Sequence, residues 1–472
     1  MTGQARERTR PPQIVALWAL AIAAFGMLAL ATSGESFTPK LSFDGASYVA
    51  LAEHIRAHWF VPPPSLNLRP PLYPAVIAVA GWLTGSDGLA AVVKLQVLAW
   101  LLTGLLAGLW VYRVSGHLVI GGLAGCLYYS LTESLFNVAL VYAETLAVTL
   151  AVAAGLALTA SMADGPRAAL WRWLSAGLAL ATAYTRPVFQ LLLVVFAVLA
   201  TTSSGQQGRR AVARSLTPFV VAAFVGLLPV YLASAVVKGS PAFVSVTGHT
   251  LANYLGDRRL LGKFPPGFEA IEALYAARFA ADPTKVIVPW WEVAGDWERL
   301  GEARTGRRPT WAERDKDMGE TAAAVLSRNP GYYLRRWLEV WLEFSTSAGT
   351  PAPGRWCLIN ALIPAWRLFW GSLGAWSPFL ILALELANVV HRGRRAIFRL
   401  TPIVTYLSVA LANTALEPWI GQIRYRSQVE VFLLIALALA GALLADLRWT
   451  RRPARIGTIM KLIPLSAGRA KY

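Results

Sequence analysis

Asp44 opens a stretch, residues 43–74, in which acids, arginines, histidines and prolines crowd together directly after an apolar run. From Asp44 onward, Tyr48, Leu51, Ile55 and Trp59 recur at helical spacing, and Asp44 lies one turn before Tyr48 on the same side. Pro62-Pro63-Pro64 ends that helix and stiffens the link to Arg69-Pro70-Pro71. The stretch thus holds a carboxylate and a guanidinium on rigid elements. A carboxylate can accept the proton of a hydroxyl nucleophile. A guanidinium fork matches a phosphate with two parallel hydrogen bonds, which an ammonium cannot do. Asp44 equally suits the N-cap of its helix, and Arg69 suits an interfacial anchor. A further arginine, Arg186, stands in the middle of an apolar stretch, residues 173–201.

The elements that position these groups follow from composition. Of 472 residues, 56% are hydrophobic and 15% charged, with mean hydropathy +0.48. A soluble chain carries about a quarter charged residues. Apolar runs of ~18 residues or more recur along the sequence, which predicts an all-α polytopic membrane protein with about ten transmembrane helices. The net charge of +18 sits largely in short segments: Arg6 to Arg10, Arg167 and Arg172, Arg209 to Arg214, Arg392 to Arg399, and Arg448 to Lys461. Such loops face the cytoplasm, so the excess reads as topology rather than nucleic-acid binding. Cys126 and Cys357 offer neither a disulfide framework nor metal spacing. The first apolar run is too long for a signal-peptide core and reads as an uncleaved span.

Spans are expected at about 14–31, 89–111, 117–136, 144–162, 216–236, 370–390, 403–415 (extended) and 431–447. Residues 72–83 reach only ~18 Å at 1.5 Å per residue, short of a ~30 Å hydrocarbon core, and read as a helix against the outer surface. As one helix, residues 173–201 would be ~44 Å long and would bury Arg186 at several kcal/mol. Both flanks are also basic. A hairpin of two short helices bent at Thr185-Arg186-Pro187 satisfies both demands and places Arg186 in a wet, outward-facing cavity. Both termini then finish on the cytoplasmic side of the plasma (inner) membrane. Three parts result: a transmembrane core over 1–237 that includes the first extracytoplasmic loop (about 33–87), an extracytoplasmic region over 238–336, and a C-terminal transmembrane region over 337–472. The middle part is expected to hold helices at 268–281 and 310–328, with Asn329-Pro330 as a break, and residues 333–344 to lie at the interface. Trp290, Trp291 and Trp297 are open to two readings, a sugar platform or internal packing. His54, His58 and His249 read as surface or loop histidines.

The pattern Asp-x-x-x-Tyr-x-x-Leu-Ala followed by Arg-Pro-Pro-Leu-Tyr-Pro resembles the first extracytoplasmic loop of GT-C superfamily glycosyltransferases. The nearest likeness is to bacterial relatives of protein O-mannosyltransferases and lipid A aminoarabinose transferases. Further similar stretches follow in order: "YAETLAV" around Glu144, "GLALATAYTRPVFQLLL" around Arg186, "AAAVLSRNPGYYLRRW" from Ala322, and "RYRSQVEVFLLIALALAGALL" from Arg424. The resemblance is strongest in the first half.

The resemblance implies Asp44 as catalytic base and Glu144 as a second site acid, with Glu133 as its competitor. It places Arg69, together with Arg424 and Arg426, at the phosphate of a lipid donor; Arg186 and Tyr48 join the substrate-binding set. Many relatives have two adjacent acids, or an acid and a nearby arginine, in the first loop; here Gly45 follows Asp44 and Ser47 stands where some have arginine, which leaves a divalent cation open. The implied reaction passes a sugar from a polyprenyl phosphate to a hydroxyl on a glycan, lipid or protein acceptor. The phosphate leaves without a general acid and needs only cations to hold its charge. The hydroxyl must lose its proton, so one carboxylate is required. A transporter or flippase of lipid-linked saccharides would also need a basic cavity, but not the acid-bearing loop; a ligase of such saccharides would use the same arginines.

Overall fold

The computed structural model describes residues 12–33, 36–41, 43–59, 69–162, 166–203, 209–238, 247–346, 375–392, 394–416 and 428–446. Those residues are almost entirely helical, with two isolated bridges and no strand among them. The chain is an all-α polytopic membrane protein. Among the described residues five helices are long and apolar enough to cross a bilayer: Pro12–Thr32, Leu89–Ser115, Glu144–Ser161, Arg209–Val236 and Ala396–Ala415. Shorter apolar helices accompany them at Leu72–Thr84, Leu118–Tyr128, Pro187–Thr202 and Glu430–Ala445.

Helix α1 (Pro12–Thr32) leads into the first loop, which contains α2 (Phe43–His58) and α3 (Leu72–Thr84). These two pack on each other around Tyr48, Leu51, Ile55, Tyr73 and Ile77, closed from below by Val141 and Ala143. Helix α4 (Leu89–Ser115) stops where Gly116 turns left-handed (φ 74°) and its amide returns to the Tyr112 carbonyl.

The span expected over 117–136 is instead broken into α5 (Leu118–Tyr128) and α6 (Thr132–Ala139). The amides of Tyr129, Ser130 and Leu131 bond three residues back, to the carbonyls of Cys126, Leu127 and Tyr128, and this tightening ends α5. Tyr129 then turns inward over Gly104, where a Cβ would come within 2.4 Å of its ring.

Helices α7 (Glu144–Ser161) and α8 (Ala168–Thr185) pack closely side by side. The expected hairpin is present. Arg186 is extended (φ −146°, ψ 118°) because a residue before proline is driven out of the helical region, and Pro187 opens a tight turn into α9 (Leu191–Ser203). Helix α8 starts at Ala168, so at 18 residues it spans ~27 Å, a longer arm than the sequence predicts. Helices α10 (Arg209–Val221) and α11 (Leu228–Lys238) run together through a π-helical stretch, Ala222–Leu227.

Beyond them, α12 (Thr247–Leu255), α13 (Glu269–Ala281), α14 (Trp290–Thr305) and α15 (Trp311–Arg328) share a separate core built on Ala252, Tyr275, Trp297, Met318 and Val325. Helices α13 and α15 agree with the sequence-based bounds. Thr310 and Glu313 form the capping box that starts α15. Helix α16 (Pro330–Thr346) buries Val340, Trp341 and Phe344 and exposes Leu334 and Leu338. The last three helices among the described residues are α17 (Ser377–Arg392), α18 (Leu400–Leu416) and α19 (Glu430–Asp446); α19 is sunk among α4, α5 and α18. Glu385 of α17 is buried and held by Arg399 at 3.0 Å, and Arg399 also donates to the Leu439 carbonyl.

Candidate active site

Helix α2 buries Tyr48, Leu51 and Ile55 along one stripe, as their spacing predicts. Trp59 leaves that stripe. It adopts a left-handed conformation (φ 57°) just past the helix end and is exposed against Trp82. A left-handed residue cannot continue a right-handed helix, so its side chain is carried away from the buried face.

Asp44 lies in the first turn of α2, and its carboxylate accepts from Nη2 of Arg69. Nε of Arg69 donates to Ser47 Oγ at 3.0 Å, and the Ser47 hydroxyl in turn donates to the Asp44 carbonyl at 2.7 Å. The guanidinium also lies 5.5 Å from the centre of the Tyr48 ring, close enough for a cation–π contribution. One turn of α2 therefore grips Arg69 at three points. Ser47, three residues after Asp44, is the member that sequence reasoning marked only as a departure from the family pattern. Its spacing of one turn from Asp44 was the available signal.

The loop is pinned from beneath by main-chain bonds. Lys40 donates its amide to the Ala139 carbonyl (3.0 Å) and accepts from the Val141 amide (3.1 Å). Gln96 of α4 donates to the Val138 and Leu140 carbonyls at 2.7 and 2.8 Å and accepts the Tyr73 hydroxyl at 2.6 Å. These bonds set the approach to α7, and with it Glu144, under α2. Glu144 begins α7, where the aligned peptide dipoles favour a negative charge.

Arg186 reaches Glu144 at 2.8 Å. The pair is dry: Glu144 is 1% and Arg186 7% exposed. The expected wet cavity around Arg186 is not what surrounds it. Its charge is met by a carboxylate inside the protein, which removes the need for water that the lone arginine implied.

Tyr48 joins the two ion pairs. Burial holds its phenol above the ordinary value, and the charges of Arg186, Glu144, Arg69 and Asp44 all act on it. Its ring stands edge-on to Tyr73 with centroids 5.1 Å apart. The two pairs differ in access: the side chains of Arg69 and Asp44 are 12% and 17% exposed, those of Arg186 and Glu144 8% and 1%. A separate cavity of about 390 Å³ opens between α3 and α4, lined by apolar residues that include Leu72, Val76, Val79 and Leu95; neither Asp44 nor Arg69 lines it.

Other expected site members fall elsewhere. Arg424 and Arg426 lie outside the described residues, as does the side chain of Glu133, whose backbone is near the start of α6. Among the described residues no group of three or more His, Cys, Asp or Glu converges, and a guanidinium stands beside each of Asp44 and Glu144.

The tryptophans 290, 291 and 297 do not form one platform. Trp297 is buried and donates to Asp317 at 2.6 Å, while Trp290 stands edge-on to His249 and Trp291 is exposed. His249 is not a surface residue: it is buried, paired with Asp315 at 2.5 Å, and stacked on Trp311. Burial pushes its pKa below the ordinary 6.5, against the opposing pull of Asp315.

No protein-family profile matches the chain, and no curated protein does. Among solved structures, it is similar to the archaeal oligosaccharyltransferase AglB from Archaeoglobus fulgidus in complex with an inhibitory peptide and a dolichol-phosphate. That likeness has 11% identity and a TM-score of 0.49, over 97% of this chain and 52% of that one. The same enzyme complexed with Zn and sulfate gives 15% and 0.43, over 92% and 51%. ArnT from Cupriavidus metallidurans bound to undecaprenyl phosphate gives 14% and 0.38, over 86% and 78%. The chain spans about half the length of the oligosaccharyltransferase. At these identities and TM-scores neither assigns a role to a residue here.

Proposed function

We propose that the chain is a membrane glycosyltransferase of the GT-C kind, working on the extracytoplasmic face of a bacterial inner membrane with both termini in the cytoplasm. It moves a sugar from a polyprenyl phosphate to an acceptor hydroxyl. The observation that carries this reading is the meeting of Asp44 and Arg69, 25 residues apart, in a partly exposed position at the start of α2. A carboxylate and a guanidinium held together in a partly exposed position are what a lipid phosphate and a hydroxyl nucleophile require together.

In the reaction the acceptor oxygen attacks the anomeric carbon as the bond from that carbon to the phosphate oxygen breaks. The bonding electrons leave with the phosphate, where Arg69 holds the added charge. The hydroxyl proton passes to Asp44. A single displacement of this kind inverts the anomeric centre. Glu144 and Arg186 form the dry floor that fixes Tyr48, and Tyr48 fixes Arg69 from behind. Arg424 and Arg426 supply further positive charge at the phosphate, near the start of the last helix. A carrier of lipid-linked saccharides would use the arginines but has no work for a carboxylate fixed at the head of a pinned surface helix.

The test is Asp44→Asn, assayed by transfer of labelled sugar from polyprenyl phosphate in vesicles. A general base contributes roughly 10²- to 10⁴-fold, so the rate falls by at least about a hundredfold in a variant that elutes and melts as the wild type does. Transfer at the wild-type rate would remove Asp44 from the chemistry.

A further inference from the structure

We infer that the cleft between α3 and α4 is a binding site for an anionic glycerophospholipid of the outer leaflet, with its phosphate on Lys94 and a hydrocarbon chain in the cleft. This site rests on the orientation of the spans proposed above and not on the transfer chemistry.

Only apolar residues line the cleft. Leu72, Val76, Val79 and Leu83 belong to its α3 wall, Ala91 and Leu95 to its α4 wall. Val79, Leu83 and Leu95 are also exposed, so the cleft is open along its side. On α4 the same face continues at helical spacing as Leu98 and Leu102, both exposed. In water such a stripe would invite aggregation; along a span it is a track for hydrocarbon.

Lys94 supplies the charge. It directly precedes Leu95, lies one turn before Leu98, and is exposed. No charged residue follows it on α4 until Arg113. At 1.5 Å per residue that interval is ~28 Å, close to the ~30 Å of a hydrocarbon core. The two residues thus mark the edges of the core, and Lys94 stands at the level of lipid phosphates. Among the described residues no carboxylate pairs with it. An ammonium so placed attracts an anionic headgroup, and a chain hanging from that headgroup lies over Leu98 and Leu102 and fills the cleft beside Leu95. A zwitterionic lipid carries its own cation next to the phosphate, which offsets the gain. A second helix suits the stripe poorly, because close helix approach in a bilayer uses small residues rather than leucines. The cleft also backs onto the bond that seats α3: Tyr73, next to Leu72, donates to Gln96, next to Leu95, at 2.6 Å. A chain in the cleft therefore helps hold α3 against α4.

The test titrates the delipidated full chain, in a neutral detergent, with phosphatidylglycerol or phosphatidylcholine of identical acyl chains and follows bound lipid by native mass spectrometry. Wild type should hold phosphatidylglycerol about fivefold more tightly, the effect of one lysine at a phosphate surface. Lys94→Gln should bring the two lipids to within about twofold, and Lys94→Arg should keep the preference. Ala91→Phe, which fills the cleft, should weaken binding of both lipids; Val79→Phe does so from the α3 wall should the first variant fail to fold. No preference in wild type, a preference that survives Lys94→Gln, or binding untouched by both cleft-filling variants overturns the site. Undecaprenyl phosphate that displaces phosphatidylglycerol from an equimolar mixture assigns the cleft to a prenyl chain and overturns the phospholipid likewise. The sugar-transfer rate of Asp44→Asn enters none of these readouts, so either reading can fail alone.

Discussion

Take away one member of the Glu144–Arg186 pair and the other loses its ion-pair partner inside the protein. The charges approach to 2.8 Å, which at an effective dielectric constant of about 20 corresponds to roughly 6 kcal/mol of attraction. Much of this only offsets the cost of removing both groups from water. The net effect of the intact pair is therefore small, while removing one partner of a buried pair costs about 3–5 kcal/mol. Glu144→Leu and Arg186→Met should each destabilise the detergent-solubilised protein by that amount, because Glu144 is 1% and Arg186 7% exposed and neither can recruit solvent where it stands. The double variant Glu144→Leu/Arg186→Met, with the charges removed together, should return to within about 2 kcal/mol of wild type. Tyr48 should pack less tightly in it, and transfer should fall although the fold persists. Equilibrium unfolding of the four proteins, followed by tryptophan fluorescence, gives the coupling energy. Single variants each costing less than about 1 kcal/mol, or additive losses in the double, would refute a dry pair and restore the wet cavity.

Ser47→Ala removes the hydroxyl that holds Arg69 Nε and should weaken undecaprenyl phosphate binding by several-fold, about 1 kcal/mol for one neutral partner, without changing the melting profile. Gly248→Ala would drive a Cβ to within 1.7 Å of the Asp315 carbonyl; backbone cannot yield as a side chain does, so the region over 247–328 should lose about 1–3 kcal/mol or more and become the first segment cut by limited proteolysis. His249 has a folded pKa below its ordinary 6.5, so the unfolded chain takes up its proton first as pH falls. Stability should therefore decline as pH drops below about 6.5 until the lower folded value is passed, and His249→Gln should flatten that stretch of the stability–pH curve.

What the sequence determined by itself was whatever depends on neighbours along the chain. Apolar runs of bilayer length marked α1, α4 and α7, because the cost of exposing peptide groups to lipid leaves helix as the form such a run takes. Pro187 marked the bend at Arg186, since a proline disfavours helical geometry in the residue before it whatever surrounds them. Capping residues placed α15, and helical spacing placed the stripe Tyr48, Leu51, Ile55. Asp44 and Arg69 were legible as types suited to base and phosphate contact, from their polar setting and the motif they sit in.

Which charge meets which was decided only in three dimensions. Nothing in the spacing joins Glu144 to Arg186 rather than leaving Arg186 in water; the bonds from Lys40 and Gln96 to residues 138–141 do, by fixing where α7 begins beneath α2. The burial of His249 against Asp315, 66 residues away, and the break between α5 and α6 at a tyrosine packed over glycines, were likewise hidden. An ion pair across the chain depends on distance and solvent access together, and those are set by how the helices stack, which the local pattern of residues does not carry.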